Sequence, residues 1–445
     1  MQVHIKTYGC QMNERDSEIM GAVLKEKGWQ ICGNEEDADA IILNCCSVRD
    51  QAELKAIGKL QQLIKRKNED ENFLVGICGC MAENLGKELF RRIPKLNFIV
   101  GPRQIYRIGE AISLAIKGEK PAFLADADDV TCNCKNNKLH HRNLQELQSS
   151  AYVTISNGCN MRCSYCIVPK TRGRETSRPM EAILDEIQLL LESGIREITL
   201  LGQIVNFYGM GRFPMINGES PFVQLIRKIH NLKGLDRLRF LSPHPSGFRD
   251  DLICCFGDLP KLCPHVHLPI QSGSNRVLQL MRRPYQREKI LEITQKLRQR
   301  IPLISISTDL IVGFPGETDD DFHETLCLFD EISFDMAYIF KYSRRSGTPA
   351  ATMDNQVAQS ICEERNQVLL EKLKHTSLER NRLFLNSIQP VLVEQHSKRD
   401  PNVLFGYTPH RKKTFFSAPS EMIGKIVSVR IQDVSTGCFI GTIIG

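Results

Sequence analysis

Ala151-Tyr152-Val153-Thr154-Ile155-Ser156-Asn157-Gly158-Cys159-Asn160-Met161-Arg162-Cys163-Ser164-Tyr165-Cys166 is the stretch on which the fold turns. Ala151–Ser156 reads as a short strand, Asn157-Gly158 opens a loop, and three cysteines follow with C-x3-C-x2-C spacing. Three thiolates so close in sequence can converge on one metal cluster. An electron-transfer 4Fe–4S site takes four cysteines. Three leave one iron open, and an open coordination position is how a metal site admits a substrate. A structural zinc site fits less well, because it needs a fourth ligand and no other His or Cys lies nearby. A chance group of buried thiols is the remaining reading.

Strand and helix patterns alternate from this loop onward to residue 375. The candidate strands are Ala151–Ser156, Ile198–Leu201, Leu238–Ser242, Val266–Ile270, Ser305–Val312 and Met336–Lys341. Ala182–Glu192 and Arg287–Arg300 are among the helices between them. About six β/α units predict an open or partial parallel barrel, since a closed one uses eight. Chemistry in such folds gathers at the carboxyl ends of the strands. Here those ends read Gly202-Gln203, Ser242-Pro243-His244-Pro245, Gln271-Ser272-Gly273 and Gly313-Phe314-Pro315-Gly316-Glu317. A turn needs Gly and Pro; it does not need the Gln, His and Glu beside them.

Residues 1–120 alternate strand and helix as well. Val3–Thr7, Ala40–Leu43 and Phe73–Ile77 suit buried parallel strands, with helices over Ser17–Lys27 and Gln51–Lys67. That predicts an open parallel α/β domain. The polar stretch 121–148 reads as a linker carrying Cys132 and Cys134. The barrel domain is placed at 149–375. At 378–445 the composition shifts to short strands between Gly, Pro, Asn and Lys turns, which predicts a small all-β barrel. Residues 376–445 hold nine Lys or Arg against five Asp or Glu, most of the chain's net +6. Arg411-Lys412-Lys413 beside Phe415-Phe416 suits phosphate attraction with base stacking, or a solvated loop beside ordinary core phenylalanines.

The 445 residues contain 42% hydrophobic and 25% charged side chains, which excludes a disordered or fibrous chain. No apolar run is long enough to cross a membrane, and the start lacks a signal-peptide layout; the expected location is the cytoplasm. Seventeen cysteines are then unusual, because a reducing compartment does not keep structural disulfides. Beyond the C-x3-C-x2-C loop, Cys10, Cys46 and Cys80 each follow a predicted strand of the first domain. Parallel strand ends face one edge, so the three thiols can meet there. Ordinary buried cysteines would look the same in sequence.

The words around these cysteines resemble the methylthiotransferase family of the radical S-adenosylmethionine superfamily. Such proteins join a three-cysteine amino-terminal domain, a radical barrel and a carboxy-terminal TRAM domain. The matches span nearly the whole chain. They include Gly173, Ser177-Arg178-Pro179, Leu201-Gly202-Gln203 with Asn206, His267-Leu268-Pro269, Asp309 to Thr318, and Tyr342-Ser343 with Gly347-Thr348-Pro349-Ala350. Tyr8-Gly9-Cys10-Gln11-Met12-Asn13, and Asn44 with Cys46-Ser47-Val48-Arg49, are similar to the branch acting on isopentenyl-adenosine in tRNA.

The resemblance implies two 4Fe–4S clusters, on Cys159, Cys163 and Cys166 and on Cys10, Cys46 and Cys80. It implies S-adenosylmethionine on the open iron of the first cluster, cleaved to a 5′-deoxyadenosyl radical, and sulfur for insertion on the open iron of the second. Tyr165 would lie against the adenine of S-adenosylmethionine, with Gly202, Gln203, Ser242, His244, Gln271 and Gly313 completing its site. No catalytic acid–base residue is expected, because the aromatic C2–H bond of adenine is not acidic. The expected partners are the anticodon stem-loop of tRNA, held by the TRAM region, and a flavodoxin-like electron donor, with the enzyme a monomer. The family register makes Cys46 the ligand and Cys45 and Cys78 extras. Cys45 stands where the family usually has Thr, and Ser346 where it often has Pro. Methylthiolation of threonylcarbamoyl-adenosine or of a ribosomal protein is the competing activity. A non-catalytic iron–sulfur RNA-binding or redox-sensing protein is the competing class.

Overall fold

The computed structural model describes residues 1–47, 50–125 and 149–444; Cys132, Cys134 and most of the expected linker lie outside them. The chain divides into two compact units. One holds residues 1–144, 156–162 and 166–178, the other 145–155, 163–165 and 179–445.

The first unit is built on a six-stranded parallel sheet of β1 (Gln2–Tyr8), β2 (Gln30–Ile31), β3 (Ala40–Cys45), β4 (Leu74–Cys78), β5 (Phe98–Val100) and β6 (Ala122–Phe123), in order β2-β1-β3-β4-β5-β6. Every residue of β3 and β4 is buried, as expected of central strands covered on both faces. The sheet continues past residue 120 into β6, which the sequence reading had given to the linker. The three shortest strands, β2, β5 and β6, have no pattern long enough to read. This unit also holds a two-stranded ribbon, β8 (Ser156–Asn157) paired with β9 (Thr176–Ser177), and the helix Val168–Arg172.

The second unit contains two three-stranded parallel sheets. One is β11 (Arg237–Phe240), β10 (Glu197–Leu201) and β7 (Ser150–Thr154); the other is β12 (His265–His267), β13 (Ser305–Val312) and β14 (Met336–Lys341). A parallel bridge between Leu238 and Leu262 links them into a six-stranded partial barrel. Alternation along each strand sorts the two faces. Val153, Ile198, Leu200, Leu238, Phe240, Val266 and Ile306 pack under the helices in one hydrophobic core. The opposite register carries Tyr152 and Thr154, Glu197 and Thr199, Arg237 and Arg239, His265 and His267, Ser307 and Asp309, and Tyr338. The concave face is therefore polar.

A closed five-stranded barrel follows, β15 (Ile388–His396), β16 (Val403–Tyr407), β17 (Lys413–Ser417), β18 (Ile426–Val434) and β19 (Phe439–Ile443), ordered β15-β16-β17-β19-β18. The helix Gln359–Arg382 runs unbroken through 375–378, so the chain passes between the two barrels along a helix rather than a loop.

Candidate functional site

In the first unit, β1, β3 and β4 are neighbours and parallel, so their carboxyl ends share an edge. Cys10 caps the helix Gln11–Glu26 two residues after β1, Cys46 follows β3, and Cys80 opens the helix Cys80–Leu85. The Cys46 amide donates to the Tyr8 carbonyl at 2.8 Å, fixing that residue beside the end of β1. Two buried asparagines brace the edge: Asn13 Nδ2 donates to Asn44 Oδ1 at 3.0 Å, and Asn44 Nδ2 to the Asn13 carbonyl at 2.8 Å. Gly79 has φ +86°, and a Cβ there would lie 2.4 Å from Asn44 Oδ1; only glycine fits the turn that delivers Cys80.

The thiols differ in state. A hydrogen bond with Cys46 pulls the Cys10 thiol down to about 5, helped by the Arg172 guanidinium and opposed by burial. Burial pushes Cys80 up, and Arg172 opposes that. Arg172 Nη2 also bonds Asp16 Oδ2 at 2.6 Å, with both side chains buried. The pleat separates the doublet at 45–46. Cys45 shares a face with Ile41 and Leu43 in the core, fully buried, its thiol pushed far up by burial. Cys46 faces the other way, toward Cys10. Cys78 is buried in a second core cluster and also pushed up. Sequence reasoning singled out the three cysteines and gave no sign of Asp16 and Arg172 beside them.

The cysteines of the C-x3-C-x2-C loop fall in different units. In the first unit, the Cys159 amide donates to the Gly173 carbonyl at 3.0 Å, and the Met161 amide to Cys159 Sγ at 3.4 Å. Cys166 is half-buried just before the helix Val168–Arg172. In the second unit, Cys163 Sγ accepts from Arg283 Nη1 at 3.4 Å, and Arg283 Nη2 donates to the Pro269 carbonyl at 3.2 Å. Tyr165 packs on Val277, Met281, Phe314 and Ala350, its ring edge-on to Phe314 at 6.3 Å.

The other expected site residues lie at strand carboxyl ends of the partial barrel. Gly202 is buried and Gln203 follows it, with Gln203 Oε1 buried and lacking a hydrogen-bond partner among the described residues. Ser242 and Gln271 hold φ +59° and +71°, a left-handed backbone that non-glycine residues rarely adopt. His244 is clamped by Asn206, whose Oδ1 accepts the His244 amide at 2.8 Å. Burial and the facing Arg283 guanidinium drive its imidazole down to about 3, so it stays neutral and accepts at 3.2 Å from Arg283. The Gly313 amide donates to Glu317 Oε1 at 3.0 Å, and Glu317 is paired with buried Arg365 at 2.6 Å.

One layer below, on the concave face, runs a polar ladder. His265 Nε2 and His267 Nδ1 bracket Ser307 Oγ at 3.2 and 3.0 Å, and His267 Nε2 faces Asp309 at 3.4 Å.

The strand amino ends of the partial barrel receive the C-terminal barrel. Arg237 donates to the Tyr407 and Pro390 carbonyls, each at 2.7 Å. Arg239 donates to the Pro409 and Thr408 carbonyls at 2.7 and 2.9 Å. Burial works against ionisation of Glu197, but Arg239 and Arg411 outweigh it and hold the carboxyl below its usual value. Lys412 Nζ pairs with Asp335 at 2.8 Å, both buried. The basic run, which the sequence left as a phosphate contact or a solvated loop, is divided in the structure. Lys412 is consumed in docking, Arg411 faces Glu197 at 3.7 Å, and Lys413 sits over the Phe405 and Phe415 rings.

Comparison with known proteins fits this layout. The Radical SAM superfamily matches residues 153–329, the uncharacterized protein family UPF0004 residues 2–101, and the TRAM domain residues 382–444. A tRNA-2-methylthio-N6-dimethylallyladenosine synthase of Opitutus terrae is 46% identical over 99% of this chain and 97% of its own. One from Akkermansia muciniphila is 41% identical over 98% of this chain and 97% of its own. The chain belongs to the tRNA-2-methylthio-N6-dimethylallyladenosine synthase family. Among solved structures, the radical S-adenosylmethionine methyltransferase TsrM of Kitasatospora setae, with cobalamin and a [4Fe-4S] cluster bound, shares the fold. Its TM-score is 0.56 at 15% identity, over 79% of this chain and 74% of that one.

The residues suit what members of a radical S-adenosylmethionine family need. No three His, Cys, Asp or Glu among the described residues close on one point as ligands of a single ion do. A cubane takes one thiolate per iron corner, a wider spacing. All-thiol donors, one already drawn toward thiolate, suit an iron–sulfur cluster, and three of them fall short of the four ligands of a structural zinc site. Buried Gln203 Oε1 and Tyr342 OH, both without partners among the described residues, leave polar contacts for a small molecule at the strand ends. No helix among the described residues is long and apolar enough to cross a membrane.

Proposed function

We propose that this chain replaces the C2 hydrogen of N6-dimethylallyladenosine (isopentenyladenosine) with a methylthio group, at position 37 of tRNA beside the anticodon. The observation that carries the reading is the gathering of Cys10, Cys46 and Cys80 at one sheet edge in a chain that also bears the C-x3-C-x2-C loop. In this reading residues 1–120 carry an auxiliary 4Fe–4S cluster on those three cysteines. Residues 149–375 carry a second on Cys159, Cys163 and Cys166, with S-adenosylmethionine. Residues 378–445 hold the anticodon stem-loop.

When bound, the clusters and S-adenosylmethionine supply the sulfur, the methyl group and the hydrogen-abstracting power that acid–base chemistry lacks for an aromatic C–H bond. The protein's part is orientation. Arg283 donates to Cys163 Sγ and to the Pro269 carbonyl, tying Cys163 to the chain just past β12. Neutral His244 accepts from the same guanidinium and fixes its direction. Tyr165, Gly202, Gln203, Ser242, Gln271 and Gly313 edge the S-adenosylmethionine site. The polar concave face receives the target nucleoside, an unpaired loop base that can be splayed out of its stack. The enzyme works in the cytoplasm as a monomer supplied by a flavodoxin-like electron donor.

Nucleoside mass spectrometry of tRNA from a deletion strain tests this. Loss of the methylthio group with isopentenyladenosine remaining is the expected result, and unaltered tRNA overturns it. Loss of the methylthio mark from threonylcarbamoyl-adenosine or from a ribosomal protein instead would redirect the substrate.

A further inference from the structure

Arg172 is buried, 6% exposed, and does not belong to the sheet it reaches. It ends the helix Val168–Arg172, six positions after Cys166. Lys170 of the same helix donates to the carbonyl and Oδ1 of Asn84 at 3.3 and 2.9 Å, which pins it to the helix that Cys80 opens. The Arg172 guanidinium has five donors in a rigid fork. One arm takes Asp16. Asp16 lies on the helix that Cys10 caps, and the buried cation is within electrostatic reach of the Cys80 and Cys10 sulfurs.

A buried cation is costly unless compensated, and a single carboxylate would have sufficed to compensate it. Here the cation is shared instead between Asp16 and two thiols. Three thiolates on one cluster, with an anionic sulfur at its open iron, make a site of net negative charge. Reduction potentials of such clusters respond to net charge and to hydrogen bonds on the sulfurs.

We propose that Arg172 is the charge-compensating partner of the cluster on Cys10, Cys46 and Cys80, and that Asp16 moderates it, so the two side chains set the potential of that cluster in opposite directions. The inference rests on the assignment of those three cysteines made above. It makes Arg172 a positioning residue contributed by the segment that follows the other cysteine triple.

The test uses the full chain with Cys159, Cys163 and Cys166 all replaced by Ala, reconstituted anaerobically with iron and sulfide, so that one cluster is loaded. Iron per chain and the midpoint potential, followed by electron paramagnetic resonance, are then read in R172M, R172K and D16N. The expected result is a more negative potential for R172M, a more positive one for D16N, and a potential close to the parent's for R172K. If R172M fails to hold iron, the raised potential of D16N beside a parent-like R172K still decides. Loaded clusters whose potential is unmoved by D16N and by either Arg172 change overturn the inference alone. A parent that binds no iron overturns the assignment of Cys10, Cys46 and Cys80 and the inference with it.

Discussion

Cys45 and Cys46 show how one step along a strand changes a residue's chemistry. Side chains of a strand alternate, so neighbouring thiols face opposite ways. Cys45 is sealed among Ile41, Leu43 and Ile77 with its thiol pushed up, while Cys46 hydrogen-bonds Cys10. Cys46→Ala should therefore remove the iron of the auxiliary site. Cys45→Ala should keep it and lose about 1 kcal/mol of stability from the small void, read by iron quantitation and thermal unfolding. Loss of iron from the Cys45 variant alone would reverse the assignment. The doublet was legible in the sequence as a doublet, and the family register pointed to Cys46. The physical reason, the pleat, needed the end of β3. Asp16 and Arg172 were not legible at all, because they meet across 156 residues, a distance no local pattern spans.

The elements were legible where they are long and patterned. Ser305–Val312 and Met336–Lys341 read from sequence match β13 and β14 to the residue, since buried parallel strands are apolar on one register and bounded by Gly and Pro. β17 was not. Arg411-Lys412-Lys413 beside Phe415-Phe416 reads in sequence as phosphate contact with base stacking or as a solvated loop beside core phenylalanines; Thr414 and Phe416 turn into the barrel, and Phe415 packs at a tilt on Phe405. The turn before it, Thr408–Lys412, is the docking element. Lys412→Ala leaves the buried Asp335 carboxylate with only Arg380, at 3.5 Å, as an ion-pair partner, and losing one arm of a buried pair costs up to about 3 kcal/mol. The unfolding temperature should fall, with the salt dependence of tRNA binding unchanged; an unaltered unfolding temperature would count against the docking role. His410 lies in the same turn, edge-on to Phe384 at 4.9 Å, and burial with Lys412 beside it pushes the imidazole down to about 4. In the unfolded chain it titrates near 6.5, so from there down to about 4 the unfolded state holds a proton the folded state does not. Stability should fall as the pH is lowered across that window. His410→Gln should flatten the fall, measured by thermal unfolding at pH 7 and pH 5.

At the scale of the molecule, the basic balance of the last seventy residues was legible from composition, and its distribution was not. Arg237, Arg239, Arg411 and Lys412 are committed where the C-terminal barrel meets the strand amino ends. That leaves the other end of the small barrel. Lys398 and Arg399 follow β15, and Lys425 precedes β18; because β15 and β18 are antiparallel with Leu392 opposite Ile426, these loops share one end. All three residues are exposed, and exposed surface cations are what phosphate contacts use. An RNA backbone contact there gives binding a salt dependence of nearly one power per neutralised phosphate. Replacing Lys398, Arg399 and Lys425 with Gln should weaken tRNA binding and lower the slope of log affinity against log salt by about two to three. The same slope is expected to survive in Lys412→Ala. If the slope instead follows Lys412 and ignores the three loop residues, phosphate is held at the docking end, and the division of the small barrel into a docking end and an RNA end is wrong.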